Sequence, residues 1–464
     1  MSIPALRDLA RRCLPADARL RRARLFTGTA FVALGTNAVV ALIAVPLTLH
    51  FLGPERYGMW LTISGLVAML SFADLGLGNG VLTQVANAFG RDAAAEIREI
   101  TSSGVAALCL LALALLLLCA LGWPWLDWAA VFNVHSRRAL VEAGPAVAVF
   151  IGCYACTIPL AIVQKVQQGV QRGFASNLWV IAGSCASLLA LLLALHARAG
   201  LPVLILALTG VPAAVLGLNF IVVLYGRDRS ARPSLQAVSR RRIRDISGIG
   251  LQFLLLQICA AVLNGADALI LAQLLGPESV AEYGVIARLF GLIAQVTSLQ
   301  VQPLWPAYGE AKARHDWSWI AATYRRSLLT CVAVAGALSL TLLLAHRLLL
   351  KLWVGTEYHA AITLVCALAV WKTVEAAGNA TAMLLNGTQV LRVQMLIAVA
   401  STAAALLMKV WLVKLIGISG VVWASTIAFA VFTLVPYVFV VRRTLRALRA
   451  DASAISQQAQ RVGA

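Results

Sequence analysis

The chain has 464 residues, 61% of them hydrophobic and 12% charged, with a formal net charge of +19. A soluble domain carries about 25% charged residues, so this composition excludes one and leaves no long polar stretch for an appended enzyme domain. The Lys and Arg residues gather at helix ends and in alternate loops, the pattern that orients a membrane protein, which argues against nucleic acid as the partner of this charge.

Residues 1–25 read as a basic amphipathic arm on the cytoplasmic surface. Arg7, Arg11, Arg12, Arg19, Arg21, Arg22 and Arg24 supply the charge, while Leu6, Leu9, Cys13 and Leu14 share a helical face. The apolar segment that follows is too long for a signal-peptide core. A spanning helix needs roughly 20 apolar residues, and about twelve such segments follow in order. They lie at 26–50, 57–80, 101–122, 145–166, 177–197, 201–225, 247–274, 281–305, 322–345, 361–385, 393–415 and 418–441. With the N-terminus inside, the cytoplasmic segments hold about 28 Lys and Arg, and the outer loops about seven. Both termini are therefore expected in the cytoplasm.

The predicted fold is an all-α polytopic membrane protein with two pseudo-symmetric six-helix lobes, 26–226 and 246–441. A basic loop, 227–245, joins them, and 442–464 forms a cytoplasmic tail. An internal repeat supports the two lobes. Leu52-Gly53-Pro54-Glu55-Arg56-Tyr57-Gly58 is matched by Leu275-Gly276-Pro277-Glu278 followed by Glu282-Tyr283-Gly284, and Gly65-Leu66-Val67-Ala68 by Gly291-Leu292-Ile293-Ala294. An even number of helices separates the copies, so the repeats are parallel.

Charges at membrane depth are costly and usually face a cavity or a partner. In span 361–385 and just beyond it, Lys372, Glu375, Asn379 and Asn386 fall on one helical face; Arg288, Gln295, Ser298 and Gln302 do the same in 281–305. Gln257, Asn264 and Asp267 mark the seventh span, Gln394, Thr402 and Lys409 the eleventh, and Asn37, Ser64, Ser71 and Asp74 the first two. These stripes imply a water-filled cleft richer in charge in the second lobe. Lys372 with Glu375, and Asp267 with Arg288, are the pairs expected; such pairs either brace helices or hold cations ready for an anion. Lys409, nearer its helix end, either snorkels or joins the cleft.

Other chemistry finds little support. Nine cysteines are scattered, and Cys153-x-x-Cys156 has no companion pair, so no metal site is expected. Gly76-x-Gly78-x-Gly80 follows Asp74 without the Lys-Ser/Thr of a nucleotide loop, and more readily permits a bend or close helix approach. Asn379-Ala380-Thr381 and Asn386-Gly387-Thr388 match the glycosylation sequon inside or beside a span, where it has no use. No cofactor and no enzymatic constellation is expected, and transport must draw on a gradient, the membrane potential or substrate flow.

Phe51 to Leu61, followed by Phe72-Ala73-Asp74-Leu75-Gly76-Leu77-Gly78-Asn79-Gly80, resembles the first helical hairpin of polysaccharide flippases. Gln302-Pro303-Leu304-Trp305-Pro306-Ala307-Tyr308 resembles the end of their eighth helix, and Gly417-Ile418-Ser419-Gly420-Val421 the start of their last. The resemblance points to the oligosaccharide flippases of the multidrug, oligosaccharidyl-lipid and polysaccharide exporter superfamily. It implies a bacterial inner-membrane protein that moves an undecaprenyl-pyrophosphate-linked glycan to the periplasmic leaflet by alternating access. Arg288, Lys372, Lys409, Gln295 and Asn379 are then expected to bind substrate, and Asp74, Asp267 and Glu375 to couple an ion (H+ or Na+) or to pair charges. Membrane lipids, a polysaccharide polymerase and export machinery are the partners implied. A multidrug extruder, a lipid II flippase and a membrane-embedded glycosyltransferase or polymerase are the alternatives. The extruder would favour acidic cavity residues, the lipid II flippase two more C-terminal helices, and the transferase large outer loops.

Overall fold

The computed structural model of the chain describes residues 16–70, 72, 74–132, 134–223, 232–353 and 361–446. The protein is an all-α, multi-pass membrane protein. Its chain forms two compact units, Met1–Leu251 and Gln252–Ala464. Most of the expected arm, the start of the linker and most of the tail lie outside the described residues.

In the first unit the helices are α1 (Ala16–Leu70), α2 (Leu77–Gly90), α3 (Ala94–Gly122), α4 (Trp128–Val131), α5 (Arg137–Leu160), α6 (Ile162–Gly169), α7 (Gly173–His196), α8 (Leu201–Ile205) and α9 (Val211–Ile221). Helix α10 (Arg240–Leu275) starts in this unit and continues into the second. There it is followed by α11 (Pro277–Val301), α12 (Leu304–Ala313), α13 (Trp317–Trp353), α14 (Ile362–Thr388), α15 (Leu391–Ile416) and α16 (Ser419–Phe429).

Ten helices among the described residues are long and apolar enough to cross a membrane. Two of the twelve expected spans, 57–80 and 361–385, are not among them. The first ends as a helix at Leu70 and resumes at Leu77, because Leu75 and Gly76 both take positive φ, 49° and 72°. The second is one continuous helix, α14, whose Lys372, Glu375 and Asn379 dilute its apolar character.

The repeated Gly-Pro-Glu turns have matching backbones. Gly53 sits at φ 76°, ψ 169° and Gly276 at φ 91°, ψ 169°. This region is open essentially to glycine alone, so each copy breaks its helix in the same way. In the first unit the turn is fastened to the start of α5. Glu55 Oε1 accepts from the backbone N–H groups of His135 (2.6 Å) and Ser136 (3.0 Å), and Arg56 meets Glu142 at 3.2 Å. Hydrogen bonding from the Ser136 side chain, together with the His135 and Ser136 amides, holds the Glu55 carboxyl at about 2, well below the ordinary carboxylate range.

Close backbone contacts are made by small residues, as expected where water does not drive helices together. A Cβ on Gly80 would lie 2.7 Å from the Ile246 carbonyl, and one on Gly387 2.6 Å from the Trp305 carbonyl. The start of α10 thus rests on α2. The segment before it is tied to α3: the Ser234 and Ser239 N–H groups donate to the Ser102 and Ser103 hydroxyls, and Arg242 bridges Glu96 and Glu99. Each unit has its own apolar core. Val81, Val85, Ile100 and Ile162 are buried in the first, and Leu271, Phe290, Leu364 and Val421 in the second. Facing outward, Leu110, Leu117 and Leu121 form an exposed row on α3 suited to lipid.

Candidate functional site

The second unit gathers most of its membrane-depth charge on four helices. From α10, Asp267 is only 6% exposed. Its Oδ1 lies 2.6 Å from Lys409 Nζ on α15, and its Oδ2 accepts from the Tyr283 hydroxyl of α11 at 2.6 Å. Lys409 also donates to the Leu263 carbonyl at 2.5 Å. On α14, Lys372 Nζ lies 2.8 Å from Glu375 Oε2, one turn away. The Lys372 charge is near enough to act on Asp267, and that of Glu375 on Tyr283. Lys372 and Glu375 remain partly exposed, with side chains 12% and 21% accessible, as does Asn379.

The Lys372–Glu375 pair is as expected from sequence. The expected Asp267–Arg288 pair does not form. Asp267 turns inward to Lys409 and Tyr283, whereas Arg288 is exposed and makes no ion pair among the described residues. Gln295, Ser298 and Gln302 are exposed as well. Arg288 and Gln295 stand seven residues apart on one face of α11, and Gln302, the residue that caps its end, follows at the same spacing. That face is unsuited to hydrocarbon. An Arg at the centre of a spanning helix costs about 2.5–3.5 kcal/mol on insertion scales, and polar groups at such depth normally meet water or a partner. The stripe therefore requires an aqueous or polar surround. At the end of α14, Asn386 is buried and belongs to packing rather than to an exposed surface.

Asp74 in the first unit has a local task. Its Oδ1 accepts from the Gly76 N–H at 2.9 Å and its Oδ2 from Gly78 at 3.3 Å, which holds the left-handed turn where α2 begins. A Cβ on Gly78 would lie 2.9 Å from Asp74 Oδ2, so a larger residue there displaces this carboxylate. Beside the turn, Lys165 of α6 donates to Asn79 Oδ1 at 2.9 Å. Asp74, Tyr154, Thr157 and Lys165 line a cavity of about 140 Å³. Ligand pockets for drug-sized molecules measure roughly 300–1,000 Å³, so this one suits a few waters, not an oligosaccharide.

Sequence reasoning passed over Lys165 and Asn79. Lys165 lies near the end of its expected span, where a lysine normally reaches outward; here it lines the same cavity as Asp74 and donates to Asn79. Tyr283 was visible only as a marker of the repeat. Its polar position seven residues after Gly276 was the available signal for a partner at membrane depth. Among the described residues no group of three or more His, Cys, Asp or Glu is placed to hold a metal ion.

The profile of a family described as polysaccharide biosynthesis protein matches residues 26–312. A Salmonella typhimurium protein named "Putative O-antigen transporter" is 21% identical over 416 residues, covering 87% of this chain and 93% of its own. Among solved structures, an outward-facing multidrug resistance MATE family transporter of the MOP superfamily aligns with a TM-score of 0.77 at 15% identity, covering 94% of this chain and 97% of its own. A MATE in the bent conformation aligns with a TM-score of 0.77 at 16% identity, covering 95% and 98%. At such identities the structural likeness speaks for the fold alone.

Proposed function

The chain belongs to the polysaccharide biosynthesis protein family, and we propose that it acts as a flippase for polyprenyl-pyrophosphate-linked oligosaccharide repeat units. It moves them from the cytoplasmic to the periplasmic leaflet of a bacterial inner membrane, with both of its own termini in the cytoplasm. The observation that carries this reading is the exposed polar face of α11. An Arg288 with no ion pair among the described residues, followed along the helix by Gln295 and Gln302, suits an anionic headgroup followed by hydroxyl-rich sugars. The name of the Salmonella relative points the same way.

In mechanism the protein makes and breaks no covalent bond. Arg288 attracts the pyrophosphate or an acidic sugar, and Gln295 offers amide donors and acceptors to sugar hydroxyls. Lys372 joins when the anion competes with Glu375 for its ammonium, and Asn379, one turn beyond Glu375, extends the same polar face. The lipid tail stays in the bilayer while two duplicated lobes alternate access to the two leaflets; the matching Gly53 and Gly276 turns support the duplication. A multidrug extruder shares the fold, but a cationic drug is poorly matched to an exposed arginine with no ion pair among the described residues.

Deletion of the gene tests the reading. A flippase mutant accumulates complete lipid-linked repeat units on the cytoplasmic side. Shortened units would indicate a transferase, and a normal glycan with increased drug sensitivity would indicate an extruder.

A further inference from the structure

Lys409 raises a question the transport reading does not answer. Its side chain is wholly buried, so substrate does not reach it in this conformation. Replacing a buried ion pair by apolar residues of similar volume is often neutral or stabilising, so its presence calls for more than a stability argument. The surroundings of the ammonium are specific. Asp267 Oδ1 lies 2.6 Å away and the Leu263 carbonyl oxygen 2.5 Å away, while the Tyr283 hydroxyl holds Asp267 from its other oxygen at 2.6 Å. A carboxylate and a main-chain carbonyl converging on one point are the oxygen ligands that hard cations take from proteins.

We propose that the Lys409 ammonium is a resident cation, covalently tethered in an oxygen site that would otherwise accept a free monovalent cation at Asp267. The site neutralises Asp267 without a bound ion and joins α10, α11 and α15 through one charge. A second monovalent cation about 4 Å from the ammonium would be disfavoured on the order of a thousandfold at an effective dielectric of 20. The groups facing this charge are Asp267, Tyr283 and, at longer range, Lys372 with its partner Glu375. The geometry alone carries the site. Its consequence, that transport draws no alkali cation through Asp267, rests on the flippase reading.

The experiment reads cation binding and is independent of transport. The purified full-length protein and its Lys409→Ala variant are melted in choline buffer at constant ionic strength, with Na+, K+ or methylammonium titrated in. Removal of the lysine stem leaves the carboxylate and carbonyl with room for a small cation. The expected result is saturable stabilisation of Lys409→Ala by at least one of the three cations, an apparent affinity at least tenfold above that of the parent protein, and loss of the effect in Lys409→Ala/Asp267→Asn. Stabilisation of the parent by Na+ or K+ that disappears in Asp267→Asn would overturn the proposal, as would a cation-indifferent Lys409→Ala. Should Lys409→Ala fail to survive extraction, its recovery with methylammonium present is the readout. Failure of that rescue, while Lys409→Ala/Asp267→Asn is recovered intact, also overturns the proposal.

Discussion

Lys372 and Glu375 hold each other at 2.8 Å, one turn apart on α14, with both side chains still partly reachable from outside the unit. A pair in that position differs from the sealed Asp267–Lys409 pair nearby, because an incoming anion can compete for its lysine. In partly exposed surroundings the pair itself contributes little to stability, about 1 kcal/mol or less. Glu375→Gln is expected to melt within a few degrees of the parent protein and to bind an anionic lipid-linked glycan several-fold more tightly. A loss of thermal stability with no gain in affinity would mark the pair as a brace.

The turn before α2 depends on Asp74. Asp74→Ala leaves the Gly76 and Gly78 amides without their acceptor, and loss of a helix-capping side chain costs about 0.5–2 kcal/mol. Asp74→Asn keeps an acceptor oxygen and should recover most of that loss. Thermal unfolding of the two variants in detergent separates the roles: equal losses would point to the negative charge beside Lys165 as the feature that matters.

Glycine is required for different reasons at Gly80 and Gly53. Gly80→Ala drives a methyl group against the Ile246 carbonyl and is expected to cost about 1–3 kcal/mol by overpacking. Gly53 has open space around it, so Gly53→Ala meets no neighbour and suffers only from its positive φ, a strain of about 1–3 kcal/mol. Ala substitution at Gly35, which has neither a close neighbour nor a positive φ, should leave the melting temperature unchanged or slightly raised.

Glu55 gives the outer turn a dependence on acid. Its carboxyl lies below its unfolded value, so its contribution is present above the unfolded carboxylate range and is lost as pH falls from about 4.5 toward about 2. The melting temperature of Glu55→Gln should therefore differ from that of the parent at neutral pH and converge on it near pH 2. A gap of constant size across that range would show that the carboxylate is not what fastens the turn.

The membrane class, the long apolar helices and the Gly-Pro-Glu turns were legible in the sequence because each rests on a local rule: apolar length, or a backbone conformation open to glycine. The polar stripe on α11 was legible too, since Arg288, Gln295 and Gln302 recur at the helical period. Partner choice was not. Asp267 has Arg288 within reach along the sequence pattern, yet its partner, Lys409, comes from a helix more than a hundred residues further on. Helix packing alone decides which face of α10 turns inward. Lys165 was hidden for a related reason: its hydrogen-bond partner, Asn79, lies 86 residues away in the sequence.

The central claim is that Arg288 and Lys372 of the second unit carry the anionic part of the substrate. Transport of a lipid-linked acidic oligosaccharide by the purified protein in phospholipid vesicles, compared with Arg288→Ala/Lys372→Ala, tests it most directly. Each charge-assisted contact is worth about 1.5–3 kcal/mol, so the double variant should transport at least tenfold more slowly while inserting and melting normally. Transport at the parental rate by the double variant would contradict the account.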